Sequence, residues 1–85
     1  MKQKVVNYTA VFQKEPEGGY TVFVPLLSGC VSYGKNLEQA KKMITDAIEL
    51  YIESLNDHKE EIPMENNVFY SQINIDPSKI PASHV

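Results

Sequence analysis

The thiol and imidazole groups of this 85-residue chain, the side chains best suited to nucleophilic or general-base work near neutral pH, are a single cysteine, Cys30, and two histidines, His58 and His84. A general base has to be held within about 3 Å of the proton it removes. His84 stands next to the last residue, in an expected flexible tail, and His58 falls at the expected end of a helix; neither is offered the fixed position that role needs. Cys30 lies in a Gly-Cys-Val stretch and is expected as a small packed residue, because free cysteine is among the most often buried types. With no second cysteine it forms no internal disulfide. A structural zinc site needs four Cys or His ligands, and the chain holds only Cys30, His58 and His84. The Gly18-Gly19 pair leads into a strand, so it lacks the helix N-terminus that lets a glycine-rich loop cradle phosphate. Asp46 and Glu49 share one helix face, whereas two-metal catalysis draws carboxylates from several elements, and residues 5–13 carry none. The inventory points to no enzyme, no metal and no cofactor.

What remains is a set of carboxylates with a common address. Asp46, Glu49, Glu53 and Asp57 recur at helical spacing, and Glu60 and Glu61 follow them. Acid near a helix C-terminus opposes the macrodipole by a few tenths of a kcal/mol per charge, so helix stability does not account for it. These six residues are the candidate partner-binding surface, with a merely solvated face as the plainer alternative. The net charge is −3, eight positive side chains against eleven acidic ones. All the positive residues are Lys, scattered from Lys2 to Lys79, and Arg, the residue best shaped to hold phosphate, is absent. Nucleic-acid binding depends on a concentrated basic face. None is present, and a basic protein is the better-suited partner. No stretch approaches the roughly 20 apolar residues of a membrane span. Met1 opens a polar, Lys-containing segment with no apolar signal core, which makes the cytoplasm the expected compartment.

The elements that must position these residues follow from periodicity. Val6, Tyr8, Ala10 and Phe12 alternate with Asn7, Thr9, Val11 and Gln13, a period of two that predicts a half-buried strand. The segment 14–19 carries Pro16 and the Gly pair, a hairpin turn. A second strand is expected from Tyr20 to Val24, ended by Pro25, and a third from Cys30 to Tyr33. Asn36 is a good N-cap, with Gln39 placed to complete a capping box. From there Leu37, Ala40, Ile44, Ala47, Ile48, Tyr51 and Leu55 mark a helix running to Asn56 or Asp57, and Ile62-Pro63 bars its continuation. Val68 to Ile75 alternates again and is expected to return to the sheet as a fourth strand. The class is α+β, in the order β-β-β-α-β: a three-stranded antiparallel meander, one helix and a returning strand. Residues 1–76 form the domain and 77–85 a flexible C-terminal tail. A chain this short buries only about 60–65% of its unfolded surface. The thin core, and aromatic residues Tyr20, Phe23 and Tyr33 that one sheet face would not cover, lead to an expected homo-oligomer, a dimer in the first instance.

The stretch Gly18-Gly19-Tyr20, an apolar strand, Pro25-Leu26-Leu27-Ser28-Gly29-Cys30 and Gly34-Lys35-Asn36-Leu37-Glu38-Gln39-Ala40 resembles the HicB antitoxin family. That family's pattern is Gly-Gly-Tyr, Pro-Asp-Leu-Pro-Gly-Cys and Gly-Asp-Thr-Leu-Glu-Glu-Ala. Pro25, Leu27, Gly29, Cys30, Gly34, Leu37, Glu38 and Ala40 stand at matching positions, and Tyr8 to Phe12 and Ile62-Pro63 also fit. Resemblance spans about residues 5–75. Departures are Leu26 for Asp, Ser28 for Pro, Lys35-Asn36 for Asp-Thr and Gln39 for Glu; Asn36 preserves the cap, but position 26 has no carboxylate.

The resemblance implies a partial ribonuclease H-like fold without that fold's catalytic acids. It further implies an antitoxin that binds HicA, a small basic toxin of double-stranded-RNA-binding-domain fold that cleaves messenger RNA with a catalytic histidine. The expected mechanism is masking of the toxin's active surface. Many relatives carry an additional ribbon-helix-helix or helix-turn-helix segment; none follows the fourth strand here, so operator binding is not expected. A second reading is a solitary HicB-like interaction or regulatory module without a toxin. A third, a vestigial nuclease, would require magnesium-dependent cleavage of RNA–DNA hybrid, which is not anticipated.

Overall fold

Three short strands and one long helix account for the regular structure of the computed structural model, which describes residues 6–66 and 68–82. Strands β1 (Val11–Lys14), β2 (Tyr20–Phe23) and β3 (Val31–Gly34) form an antiparallel sheet in the order β1-β2-β3. Helix α1 (Leu37–Asp57) packs on β2 and β3. The β1–β2 hairpin is closed by the Glu15 N–H donating to the Gly19 carbonyl and the Gly18 N–H to the Glu15 carbonyl, both at 3.0 Å. Gly18 and Gly19 both take positive φ, the conformation glycine reaches without steric cost.

Register decides which side chains meet the helix. Phe12 pairs with Val22, and Val22 with Ser32. This row faces α1: Val22 is fully buried, and the Ser32 hydroxyl donates to the Met43 carbonyl at 3.4 Å. The alternate row, Val11, Phe23 and Val31, lies on the opposite face with Gln13, Thr21 and Tyr33. Val31 and Tyr33 are about half exposed there, so the sheet is covered on one side only.

The loop from β2 to β3 supplies much of the core. Leu27 donates its N–H to the Val24 carbonyl, Cys30 to the Leu27 carbonyl, and Val24 to the Cys30 carbonyl. Two successive tight turns thus drop Leu27 into the interior, with Gly29 at φ +81° in the second. Val22, Val24, Leu27, Cys30, Ala40 and Ile44 are buried together, and Tyr8, Ala10, Tyr20, Leu26, Ala47, Ile48 and Tyr51 pack around them. At the junction with α1, Gly34 lies against the backbone of Gln39 and Ala40, with no room for a Cβ.

Helix α1 begins as its sequence predicts. The Asn36 side chain accepts from the Gln39 N–H at 2.8 Å, while the Gln39 carboxamide oxygen accepts from the Lys35 N–H at 2.6 Å, one residue upstream of the usual capping-box donor. Its C-terminus is a Schellman motif. The Glu60 N–H donates to the Leu55 carbonyl (2.8 Å) and the Lys59 N–H to the Asn56 carbonyl (3.0 Å). The left-handed residue in this motif is Lys59, at φ +54°, a place normally given to glycine.

Three expectations are corrected. The first strand begins at Val11 within the described residues, not at its predicted start at Val6. Its partner β2 ends at Phe23 before the turn at Val24, so residues 6–10 have no ladder to join. They turn instead to the chain beyond the helix. The third strand runs one residue later than expected, because the Cys30 N–H closes the turn to Leu27. The returning fourth strand is not formed within the single chain: 68–75 has no regular secondary structure and is exposed, and the sheet has three strands among the described residues. The radius of gyration, 17.2 Å, exceeds the roughly 12 Å of a compact chain of this length, consistent with this segment standing away from the core. In the expected tail, Pro77–Lys79 forms a 3-10 turn capped by the Asp76 carboxylate, which accepts from the Ser78 N–H and hydroxyl. Residues 83–85, with His84, lie outside the described residues.

Candidate partner-binding surface

A residue every three or four positions along an α-helix stays on one face. Asp46, Glu49, Glu53 and Asp57 are accordingly aligned, turned away from the buried Ala40–Ile44 side, and all four are exposed. The salt bridge found among the described residues joins Lys42 and Asp46 at 3.6 Å, with both side chains more than half exposed. An exposed i,i+4 pair of this kind contributes at most about 0.5 kcal/mol. Glu49, Glu53 and Asp57 have no such cation among the described residues. The last turn of the helix contains no basic residue, so the carboxylates add their field to the negative end of the helix dipole.

Glu49 and Glu53 also border something the linear pattern does not display. Segments 6–8 and 62–64 run beside the helix and leave a groove of about 960 Å³ between them. Val6, Tyr8, Ile48, Ile52, Ile62 and Met64 give it an apolar floor, and Glu49, Glu53, Thr45 and Asn56 form its polar side. Charge beside exposed apolar surface is an arrangement suited to a protein partner.

Two contacts hold the chain beyond the helix in place. The Tyr8 hydroxyl donates to the Pro63 carbonyl at 2.7 Å. The Glu65 carboxylate accepts both the Thr9 N–H and, at 2.8 Å, the Thr9 hydroxyl. Burial first, and the Glu65 charge second, push the Tyr8 phenol above its ordinary pKa. No local periodicity signals pairs more than fifty residues apart.

Glu60 and Glu61 do not extend the helical stripe. Glu60 lies beside Tyr51, Ser54, Leu55 and His58, around the helix from Glu49 and Glu53, whereas Glu61 borders Ile62, Pro63 and Met64. His58 is exposed and its Nδ1 donates to the Ser54 carbonyl at 2.8 Å, a bond that ties the ring to the helix end. Cys30 is a free thiol in the core; burial pushes its pKa up, which lowers its reactivity. Among the described residues no group of three or more His, Cys, Asp or Glu gathers as a metal site, and no helix is long and apolar enough to cross a membrane.

The family described as "HicB_like antitoxin of bacterial toxin-antitoxin system" matches residues 8–80. A UPF0150 protein of Synechocystis is 47% identical over 64 residues, covering 75% of this chain and 81% of the relative. A UPF0150 protein of Thermoplasma acidophilum is 44% identical over 61 residues, 72% of this chain and 88% of the relative. One from Helicobacter pylori is 54% identical over a shorter span of 46 residues, 54% of this chain and 62% of the relative.

Proposed function

Because the chain belongs to the HicB-like antitoxin family of bacterial toxin–antitoxin systems, we propose that it neutralises a small basic, messenger-RNA-cleaving toxin of the HicA type by covering its active surface. The observation that carries this reading is the aligned, exposed carboxylate stripe of Asp46, Glu49, Glu53 and Asp57, of which only Asp46 has a salt-bridge partner among the described residues. A basic toxin has to keep a positive face to hold RNA, and the same face suits this stripe. Complementary charge chiefly speeds encounter and fixes orientation, while apolar contact supplies the lifetime of the complex. The groove beside Glu49 and Glu53 offers such contact. In this reading the catalytic histidine of the toxin is occluded sterically, and the antitoxin contributes no chemistry.

The same reading places the pair in the cytoplasm, where messenger RNA is, treats residues 1–76 as the working domain with 77–85 as a tail, and regards the sheet-plus-helix as a partial ribonuclease H-like fold. It takes the functional unit to be a homodimer. Co-expression with a neighbouring small basic reading frame tests the central claim: a copurifying complex and rescued growth are expected. Charge reversal at Glu49 and Glu53 should slow association and reduce its salt dependence. No binding at low ionic strength to any such neighbour would sink the reading.

A further inference from the structure

The segment 68–75 has the sequence of a strand and the surroundings of none. Phe69, Ser71, Ile73 and Ile75 alternate with Val68, Tyr70, Gln72 and Asn74, yet Phe69 is 91% exposed and Ile73 76%. Its backbone makes no backbone hydrogen bond among the described residues, through eight consecutive positions. Extended chain with unpaired donors and acceptors and a row of apolar side chains is a template for sheet addition. The same molecule carries the complementary vacancy. Among the described residues β1 pairs only with β2 and its outer edge is open, and all four of its residues are exposed.

We propose that 68–75 becomes a strand by adding to the outer edge of β1 in a second copy of this chain, and that the exchange is mutual. This deepens the dimer element of the reading above and does not depend on the toxin. Three observations favour a second copy as the occupant. First, segment 68–75 contains no charged residue, so a basic partner would find nothing there to hold, while two copies meet without like-charge repulsion. Residues 11–13 of β1 are uncharged as well.

Second, the launch point is fixed. The Tyr8–Pro63 and Thr9–Glu65 contacts pin the chain beside the entry to β1, and the residues that follow leave the molecule there instead of folding back. Third, the faces match. Pairing with Phe69, Ser71, Ile73 and Ile75 toward the helix side would place them beside Phe12 and the Val22 row, and would put Gln72 on the outer face with Gln13. A mutual exchange of this kind closes with two-fold symmetry and leaves no unsatisfied copy, as a dimer requires.

The test uses the full chain. Light scattering of the wild type at micromolar concentration should give twice 9.6 kDa. Ile73→Pro removes a ladder donor from a residue that is exposed in the single chain, so the helical circular-dichroism signal should be kept and only the strand contribution reduced, while the mass falls to that of one chain. A chain carrying Gln13→Cys and Gln72→Cys should, on mild oxidation, give a covalent dimer that neither single variant gives. An internal disulfide that leaves the chain monomeric, or no cross-link at all, would overturn the exchange. So would a wild-type monomer, or an Ile73→Pro variant that remains a dimer; the last result would leave a dimer through another face, such as the open Val11–Phe23–Val31 side, and would say nothing against the toxin.

Discussion

Leu27 shows how much a single position carries in a small domain. It is 1% exposed, placed by two tight turns beneath the helix, and is one of just six buried hydrophobic side chains among the described residues. Leu27→Ala should cost about 2–5 kcal/mol, a large share of the roughly 5–15 kcal/mol that holds a domain folded; urea unfolding of the purified variant checks this. Gly34 acts by what it lacks. A Cβ there would collide with the backbone of Gln39 and Ala40, which cannot move aside without unseating the helix. Gly34→Ala is expected to destabilise by about 1–3 kcal/mol or more, visible in the same measurement. Tyr8 sets an alkaline limit. Its phenol pKa is raised by burial and by Glu65, so the neutral form is favoured in the folded state. The contribution is fully present below the unfolded value of about 10 and is lost as pH rises through the higher folded value. Ultraviolet titration should show Tyr8 ionising above the ordinary tyrosine value, and Glu65→Gln should remove the smaller part of that rise.

At the scale of elements, the helix is the most legible part of the sequence. Its cap at Asn36 and its end at Asp57 were readable because capping and hydrophobic periodicity are local. The Schellman turn at Lys59 was not, since nothing in Lys59 itself demands a left-handed backbone. A lysine there carries a steric cost of about 1–2 kcal/mol. Lys59→Gly should therefore stabilise the domain, offset in part by glycine's greater unfolded-state entropy; a higher thermal midpoint is the expected result. The strands were legible in kind but not in extent. Alternation from Val6 to Gln13 announced a strand, but a strand needs a neighbour, and β2 is too short to pair with residues 6–10.

For the whole molecule, the candidate surface divides the same way. Helical spacing was enough to align Asp46, Glu49, Glu53 and Asp57. The path of the chain after the helix, which spacing does not encode, sent Glu60 and Glu61 to different places and built a groove beside Glu49 and Glu53. Association with a basic toxin is expected to weaken with salt if the stripe is the contact. Titration calorimetry at two ionic strengths, on wild type and on Glu49→Gln/Glu53→Gln, measures that, and the variant should retain affinity at high salt while losing its low-salt advantage.

By itself the sequence determined the α+β class, the hairpin, the capped helix, the packed Cys30 and membership of an antitoxin family. Each rests on interactions among residues close in the chain, or on motifs such as Pro25 to Cys30 whose turns are closed by their own backbone. Tertiary structure alone decided where the first strand starts, how Tyr8 and Thr9 hold the chain at Pro63 and Glu65, and that 68–75 stands outside the sheet. Those outcomes depend on which distant backbone groups find partners. Alternation gives a strand its two faces, but only a free sheet edge gives it a place.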